Sequence, residues 1–258
     1  MKTQVALAVL MLAGTLCARA ADIEAGRTKS LACQACHGSA GVGTAADIPN
    51  LAGQKPHYLE TQLNAFRAKE RKHELMNAIA AQLSDADIAN LAAFWNSLPP
   101  AAVADVHSGV DAAAEIRKSR MTFPANFPKD FVMYAEAVDA DSKSAKRSYV
   151  NHAALDAARA GKPLPSGSAI VVENYSTKAG ASGSLVPDQV NSYAAMEARA
   201  GWGEGLPELL RNGDWSYALF DGKKTLRDTF NYARCLACHK PQAASSYVFG
   251  LAKIANTR

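Results

Sequence analysis

The pentapeptide Cys33-Gln34-Ala35-Cys36-His37 returns near the other end of the chain as Cys235-Leu236-Ala237-Cys238-His239, with one internal change. C-x-x-C-H is the attachment signature of a c-type haem. The two thiols add across the vinyl groups, and the histidine that follows lies under the iron. Two residues between the cysteines let both sulfurs reach one porphyrin. A redox dithiol or half of a zinc site would also use paired cysteines. Neither calls for a histidine directly after the second cysteine at both places, and no further cysteine remains to complete a zinc shell. The sequence therefore predicts two covalently bound c-type haems, held by Cys33, Cys36, Cys235 and Cys238. His37 and His239 are the predicted iron ligands.

The fifth cysteine, Cys17, falls in a leader-like segment. Lys2 starts it with positive charge, an apolar run over 5–16 follows, and Ala18-Arg19-Ala20 supplies a small-x-small cleavage site. Residues 1–20 read as a secretory signal, too short to span a bilayer. Leu16 is too bulky before Cys17 for lipid attachment. The expectation is a periplasmic protein without a stable membrane anchor, its remaining thiols committed to haem. Formal net charge is +4, of which Lys2 and Arg19 belong to the leader, and haem propionates would cancel the rest. No basic block with interleaved aromatics exists, so nucleic acid is excluded as a partner.

Residues 21–100 read as all-α. A helix over 23–35 runs into the first motif, Gly38, Gly41 and Gly43 mark a loop, and Pro56 suits the first position of a second helix with Leu59, Leu63 and Phe66 at helical spacing. Ser84 and Asp87 form a capping box ahead of the stripe Ile88, Leu91, Ala92 and Trp95. This segment resembles a small class I bacterial cytochrome c. The matching residues are Cys33, Cys36, His37 and Gly38, then Pro49-Asn50-Leu51-Ala52-Gly53-Gln54, Met76-Asn77-Ala78-Ile79-Ala80, and the helix over 83–98. The resemblance implies that Met76 binds the iron opposite His37, and that the Pro49 carbonyl orients the imidazole. A thioether is a soft ligand that favours reduced iron, and a six-coordinate iron exchanges electrons only. His73 is the main rival ligand to Met76; His57 suits a solvated first turn. The run Arg67, Lys69, Arg71 and Lys72 reads as a solvated face, or as a docking rim for an acidic redox partner protein.

Residues 101–115, after Pro99-Pro100, read as a linker. In 116–258 the periodicity changes. Runs over 131–137, 169–175 and 215–220 are β-prone, while 151–160 and 189–199 read as helices. The expectation is an α+β domain with an antiparallel sheet. The order resembles the cytochrome P-460 family and the β-type cytochromes c prime. It rests on Arg147-x-Tyr149-Val150-Asn151, Pro165-x-Gly167 before Ile170-Val171-Val172-Glu173, Trp215-x-Tyr217, and the second pentapeptide followed by Tyr247-Val248-Phe249. The resemblance implies a haem ligated by His239 with its other face open or weakly ligated, and a homodimer through this domain. In catalytic members a lysine cross-links to the porphyrin and a carboxylate handles protons. Lys178, placed just past the strand in a Gly/Ser-rich segment, and Glu173 are the candidates here; a solvated lysine and an outward strand carboxylate are the alternatives. Met133 and Met196 could reach an iron but suit core packing, and His107 and His152 suit the surface.

Three functions fit this reading. The first is electron transfer by a periplasmic di-haem cytochrome. The second is a haem oxidoreductase acting on hydroxylamine, nitric oxide or peroxide at the second haem, with the first domain as its wire. The third is nitric-oxide binding without turnover. They differ only in the sixth position of the second iron.

Overall fold

The computed structural model describes residues 20–100, 113–181 and 183–257. The leader up to residue 19, His107 and most of the predicted linker lie outside them. The N-terminal part is four helices, α1 (Ile23–His37), α2 (Pro56–Arg67), α3 (Glu74–Ala80) and α4 (Asp85–Ser97). Asp22 caps α1 by accepting the Ala25 N–H, and the Ser84/Asp87 capping box forms as expected. Ser84 adds both a backbone and a hydroxyl bond to the Asp87 carboxylate. Burial opposes ionisation there, but the bonds and Lys29 outweigh it and hold the group below its ordinary value.

Helices α1 and α4 cross at Gly26. A Cβ at this position would lie 2.1 Å from the Asn90 carbonyl oxygen and 2.9 Å from the Phe94 Cβ. Only glycine lets the two backbones meet there. The crossing brings Ala32 and Ala35 against Leu91, Trp95 and their neighbours.

The C-terminal part is a five-stranded antiparallel sheet in sequential order: β1 (Phe131–Asp139), β2 (Ser144–Asn151), β3 (Ala169–Ala179), β4 (Leu185–Ala198) and β5 (Trp215–Asp221). Helix α5 (His152–Arg159) joins β2 to β3, with Asn151 as its cap. Two short helices close the chain, α6 (Ala233–His239) and α7 (Leu251–Ala255), with a 3₁₀ segment Lys240–Ser245 between them. Successive side chains alternate between the two faces. Ile170, Met196 and Tyr217 face the cluster that holds α6, while Val171, Tyr193 and Phe220 build a second cluster with Met121 and Phe127.

Two expectations are corrected. Residues 189–198 are strand, not helix: Ala194, Ala195 and Met196 pair with β3 and β5 on either side. Their helix-forming composition is overridden by backbone pairing to a strand on either side. Lys178 is likewise inside β3, opposite Val186, and not in a loose segment.

The hydrophobic core does not stop between the helical and sheet parts. One cluster runs from Leu83, Ile88, Leu91 and Trp95 to Ile116, Val150 and Leu236. Ala113 and Ile116, at the end of the expected linker, are buried in it. Helix α6 packs against both α3 and α1.

Gly26→Ala forces the α1–α4 crossing apart, which overpacking data place at about 1–3 kcal/mol of lost stability; a denaturant midpoint unchanged from the parent would contradict this. Because the Asp87 carboxylate is held below its usual 3.8, its share of stability is present above that pH and is lost as pH falls through the lowered value. Asp87→Asn is expected to flatten that acid limb of the stability curve.

Candidate functional site

Each C-x-x-C-H ends a helix. On α1 and on α6 the cysteines are three apart and the histidine follows, so all three side chains share one side of a turn. Among the described residues all four cysteines are free of disulfides. Burial pushes the Cys33 and Cys235 thiols up to about 12.

The two histidines are held in the same way. His37 Nδ1–H donates to the Pro49 carbonyl oxygen at 2.8 Å, and His239 Nδ1–H donates to the Tyr247 carbonyl oxygen at 2.8 Å. Burial lowers both imidazoles, the carbonyl bonds opposing. A neutral ring with Nδ1 tied to a carbonyl presents Nε2 as its electron-pair donor.

Different loops deliver the two carbonyls. Pro49 lies in the loop folded back under α1, where Leu51 and Ala52 N–H both donate to the Gly41 oxygen. Tyr247 follows Ser246, and both are left-handed, at φ 54° and 62°. Two consecutive non-glycine residues in that region are strained, and the strain sits on the group that orients His239. The His239 ring is also packed between Tyr217, 4.5 Å away, and Phe249, 4.8 Å away. Fully buried Asn212 steadies this arrangement, donating to the Tyr217 hydroxyl and to the Leu236 carbonyl, each at 2.9 Å.

At the first site a cavity of about 220 Å³ is lined by Cys33, His37 and Met76 with Leu59, Leu91 and Trp95. Met76 and His37 therefore reach one cleft. His73 lines it too, but its Nδ1 accepts the Met76 N–H and so caps α3. His57 does not line it. In the basic run, Arg67 is tied to Asp85 and Arg71 to Gln62, leaving Lys69 and Lys72 exposed.

At the second site a cavity of about 120 Å³ lies between α6 and the sheet, lined by Cys235, His239, Ile170, Val172, Met196 and Leu219, among others. Met196 is thus at the site; Met133 is exposed on β1, and His152 lies in another groove. Neither acid–base candidate is at this cavity. Glu173 points to the opposite face, where it accepts from the Tyr149 hydroxyl at 2.8 Å and from Tyr175. Lys178 is exposed and pairs with Asp188 at 2.8 Å. The alternation of β3 puts Val172, not Glu173, on the face towards α6.

The donor set fits a haem at both places: two thiols and a carbonyl-tied imidazole on one helix, beside a cavity walled mainly by apolar side chains. The comparisons agree. Residues 23–99 match the family model described as Cytochrome c, and residues 124–250 match the one described as Cytochrome P460. Cytochrome c-554(548) of Halomonas halodenitrificans is 46% identical over 81 residues, 98% of its own length and 30% of this chain. The chain belongs to the cytochrome c family.

Its N-terminal cytochrome c module is followed by a cytochrome P460 module. The thiosulfate dehydrogenase electron acceptor of Stutzerimonas stutzeri is 46% identical over 66 residues, and cytochrome c4 of Pseudomonas aeruginosa 38% over 78. The chain spans 31% and 39% of those two proteins, which cover 24% and 30% of it. The solved cytochrome c4 of Acidithiobacillus ferrooxidans aligns with 34% identity and a TM-score of 0.30, over 32% of this chain and 53% of that one. This cytochrome is a haem electron-transfer protein with covalently bound c-type haem.

Sequence reasoning did not find Tyr217, Asn212 or the Tyr247 carbonyl. The last had a signal in Tyr247-Val248-Phe249, but a backbone acceptor has no residue code. Left-handed geometry costs a β-branched residue about 1–2 kcal/mol more than glycine. Ser246→Val is therefore expected to be less stable than Ser246→Gly by about that amount in denaturant titration; equal midpoints would remove the strain argument.

Proposed function

We propose that this chain is a periplasmic di-haem electron carrier. In the first module Cys33 and Cys36 would attach the haem, and His37 and Met76 would hold its iron. In the second, Cys235 and Cys238 would attach it and His239 would hold the iron. The observation that carries the reading is the paired Nδ1–carbonyl bond, which prepares two separate imidazoles in one chain for a metal. The bound haem supplies reversible one-electron chemistry; everything else is done by the protein.

His37 is kept neutral by burial and oriented by Pro49. The Met76 thioether, reaching the same cleft, would favour the reduced state of a haem held there and restrict that site to electron exchange. Leu59, Leu91 and Trp95 exclude water and raise the cost of the extra positive charge on oxidation. Lys69 and Lys72 offer a positive rim near this cleft for a redox partner protein, an attraction that salt would screen.

The second site favours a further reading. Its cavity is walled mainly by aliphatic side chains and Met196, with no acid and no lysine, which suits a small uncharged gas better than proton-coupled turnover. Binding of nitric oxide at that position is the second function supported. Oxidation of hydroxylamine or reduction of peroxide would need a proton-handling group that Glu173 and Lys178, where they stand, do not supply.

Mass spectrometry of the exported protein is expected to show two added haems. Carbon monoxide added to the reduced protein should shift one haem spectrum and leave the other unchanged. If both are unchanged, the second iron is six-coordinate and the gas-binding reading fails. Met76→Ala should lower the first haem's potential and open it to carbon monoxide. An unchanged spectrum and potential in that variant would exclude Met76 as a ligand.

A further inference from the structure

We propose that the Asn231 side chain bridges the two haem-attachment segments, coupling the sites electronically and fixing their separation. The inference rests on the preceding reading that both pentapeptides carry haem.

Asn231 lies in the loop just before α6. Its Oδ1 accepts the Ala233 N–H at 3.1 Å and so starts the helix that bears Cys235. Its Nδ2 crosses to the other module. There it donates to the Ala35 carbonyl oxygen at 2.7 Å and to Cys36 Sγ at 3.7 Å. Both acceptors belong to the first pentapeptide.

The last carbonyls of a helix have no partner within it. On α1, the Gln34 oxygen is taken by the Gly38 N–H, and the Cys36 oxygen by the Thr44 N–H and hydroxyl, all from the same module. The Ala35 oxygen is taken by Asn231. The second module thus completes the cap of the first module's haem helix.

The same contacts make a continuous route. From Cys36 Sγ it enters the Asn231 amide, passes one peptide bond to Tyr232, and crosses from the Tyr232 carbonyl to the Cys235 N–H at 3.0 Å. It ends on the Cys235 side chain. Each link is a covalent bond or a hydrogen bond. With haem held at both sites, a single electron would pass from one to the other, one site being oxidised and the other reduced by one equivalent, with no bond or proton changed. Two other polar contacts across the interface, Arg234 to Asp47 at 3.5 Å and Gln82 to the Leu209 carbonyl at 3.3 Å, make no hydrogen bond to either pentapeptide. Once Cys36 holds haem, an amide N–H directed at its sulfur would also disfavour positive charge on that group, so Asn231 would be a positioning residue that raises the first site's potential.

The test uses full-length holoprotein with its haem count checked by mass. Asn231→Asp keeps an oxygen for Ala233 and removes the donor; Asn231→Leu removes both. A laser flash on a free flavin injects one electron, and its redistribution between the two haem bands is followed. Redox titration gives both potentials, and small-angle scattering reports whether the modules stay docked. The expected result is a several-fold slower redistribution and a lowered first potential in a variant whose scattering profile matches the parent. Unchanged rate and potential overturn the proposal. So does a slowing that appears only when the modules have separated. A parent protein with fewer than two haems would overturn the reading beneath it as well.

Discussion

A buried imidazole is useful to a metal only when one ring nitrogen is held and the other left free, and both histidines here depend on a backbone carbonyl for that. The bond does two jobs. It fixes the ring about its bond to Cβ, and it places the proton on Nδ1 so that Nε2 keeps its electron pair. The rest of each module can be read as support for the carbonyl. In the first, the loop pinned by Gly41 brings Pro49 beneath α1. In the second, two left-handed residues turn the Tyr247 oxygen back to His239. One device is a folded loop and the other a strained turn, reaching the same 2.8 Å contact on unrelated folds.

The helical module was almost entirely legible in the sequence because its signals are local. Capping residues, the helix-starting proline, the stripe of Ile88, Leu91 and Trp95, and the pentapeptide all act within a few residues of themselves. Three strands of the sheet were legible, but β2 and β4 were not. The Ala-Ala-Met-Glu-Ala run of β4 has the composition of a helix, and it becomes a strand because β3 and β5 pair with it on either side. Strand preference of that kind is set by neighbours distant in sequence. The acid–base candidates went astray for a related reason. Choosing Glu173 or Val172 for the second cavity is a matter of strand parity, and a shift of one residue exchanges the two faces. Lys178 was misplaced because Gly180 and the serines after it look like a loop, while Pro187 sits in β4 beyond the stretch that β5 covers, where a missing N–H costs little.

The two sites are asymmetric in what surrounds them. The first gathers a thioether and an imidazole into one cleft and closes it with aromatic and aliphatic side chains. The second presents an imidazole clamped by Tyr217 and Phe249, facing a sheet with aliphatic residues and one methionine. Glu173 and the two tyrosines that donate to it, Tyr149 and Tyr175, lie on the far face of the sheet, where Tyr149 packs against the second hydrophobic cluster.

The continuous apolar core between the modules has a kinetic meaning. Two carriers that meet by diffusion must find each other in the right orientation at every encounter, and most collisions are wasted. Side chains that interdigitate from Trp95 to Leu236 hold one relative orientation between encounters. The second site then stands before the first at a fixed effective concentration that dilution does not change. On the proposed di-haem reading, traffic between them would be a property of the fold, with only the exchange with outside partners left to solvent viscosity, salt and supply.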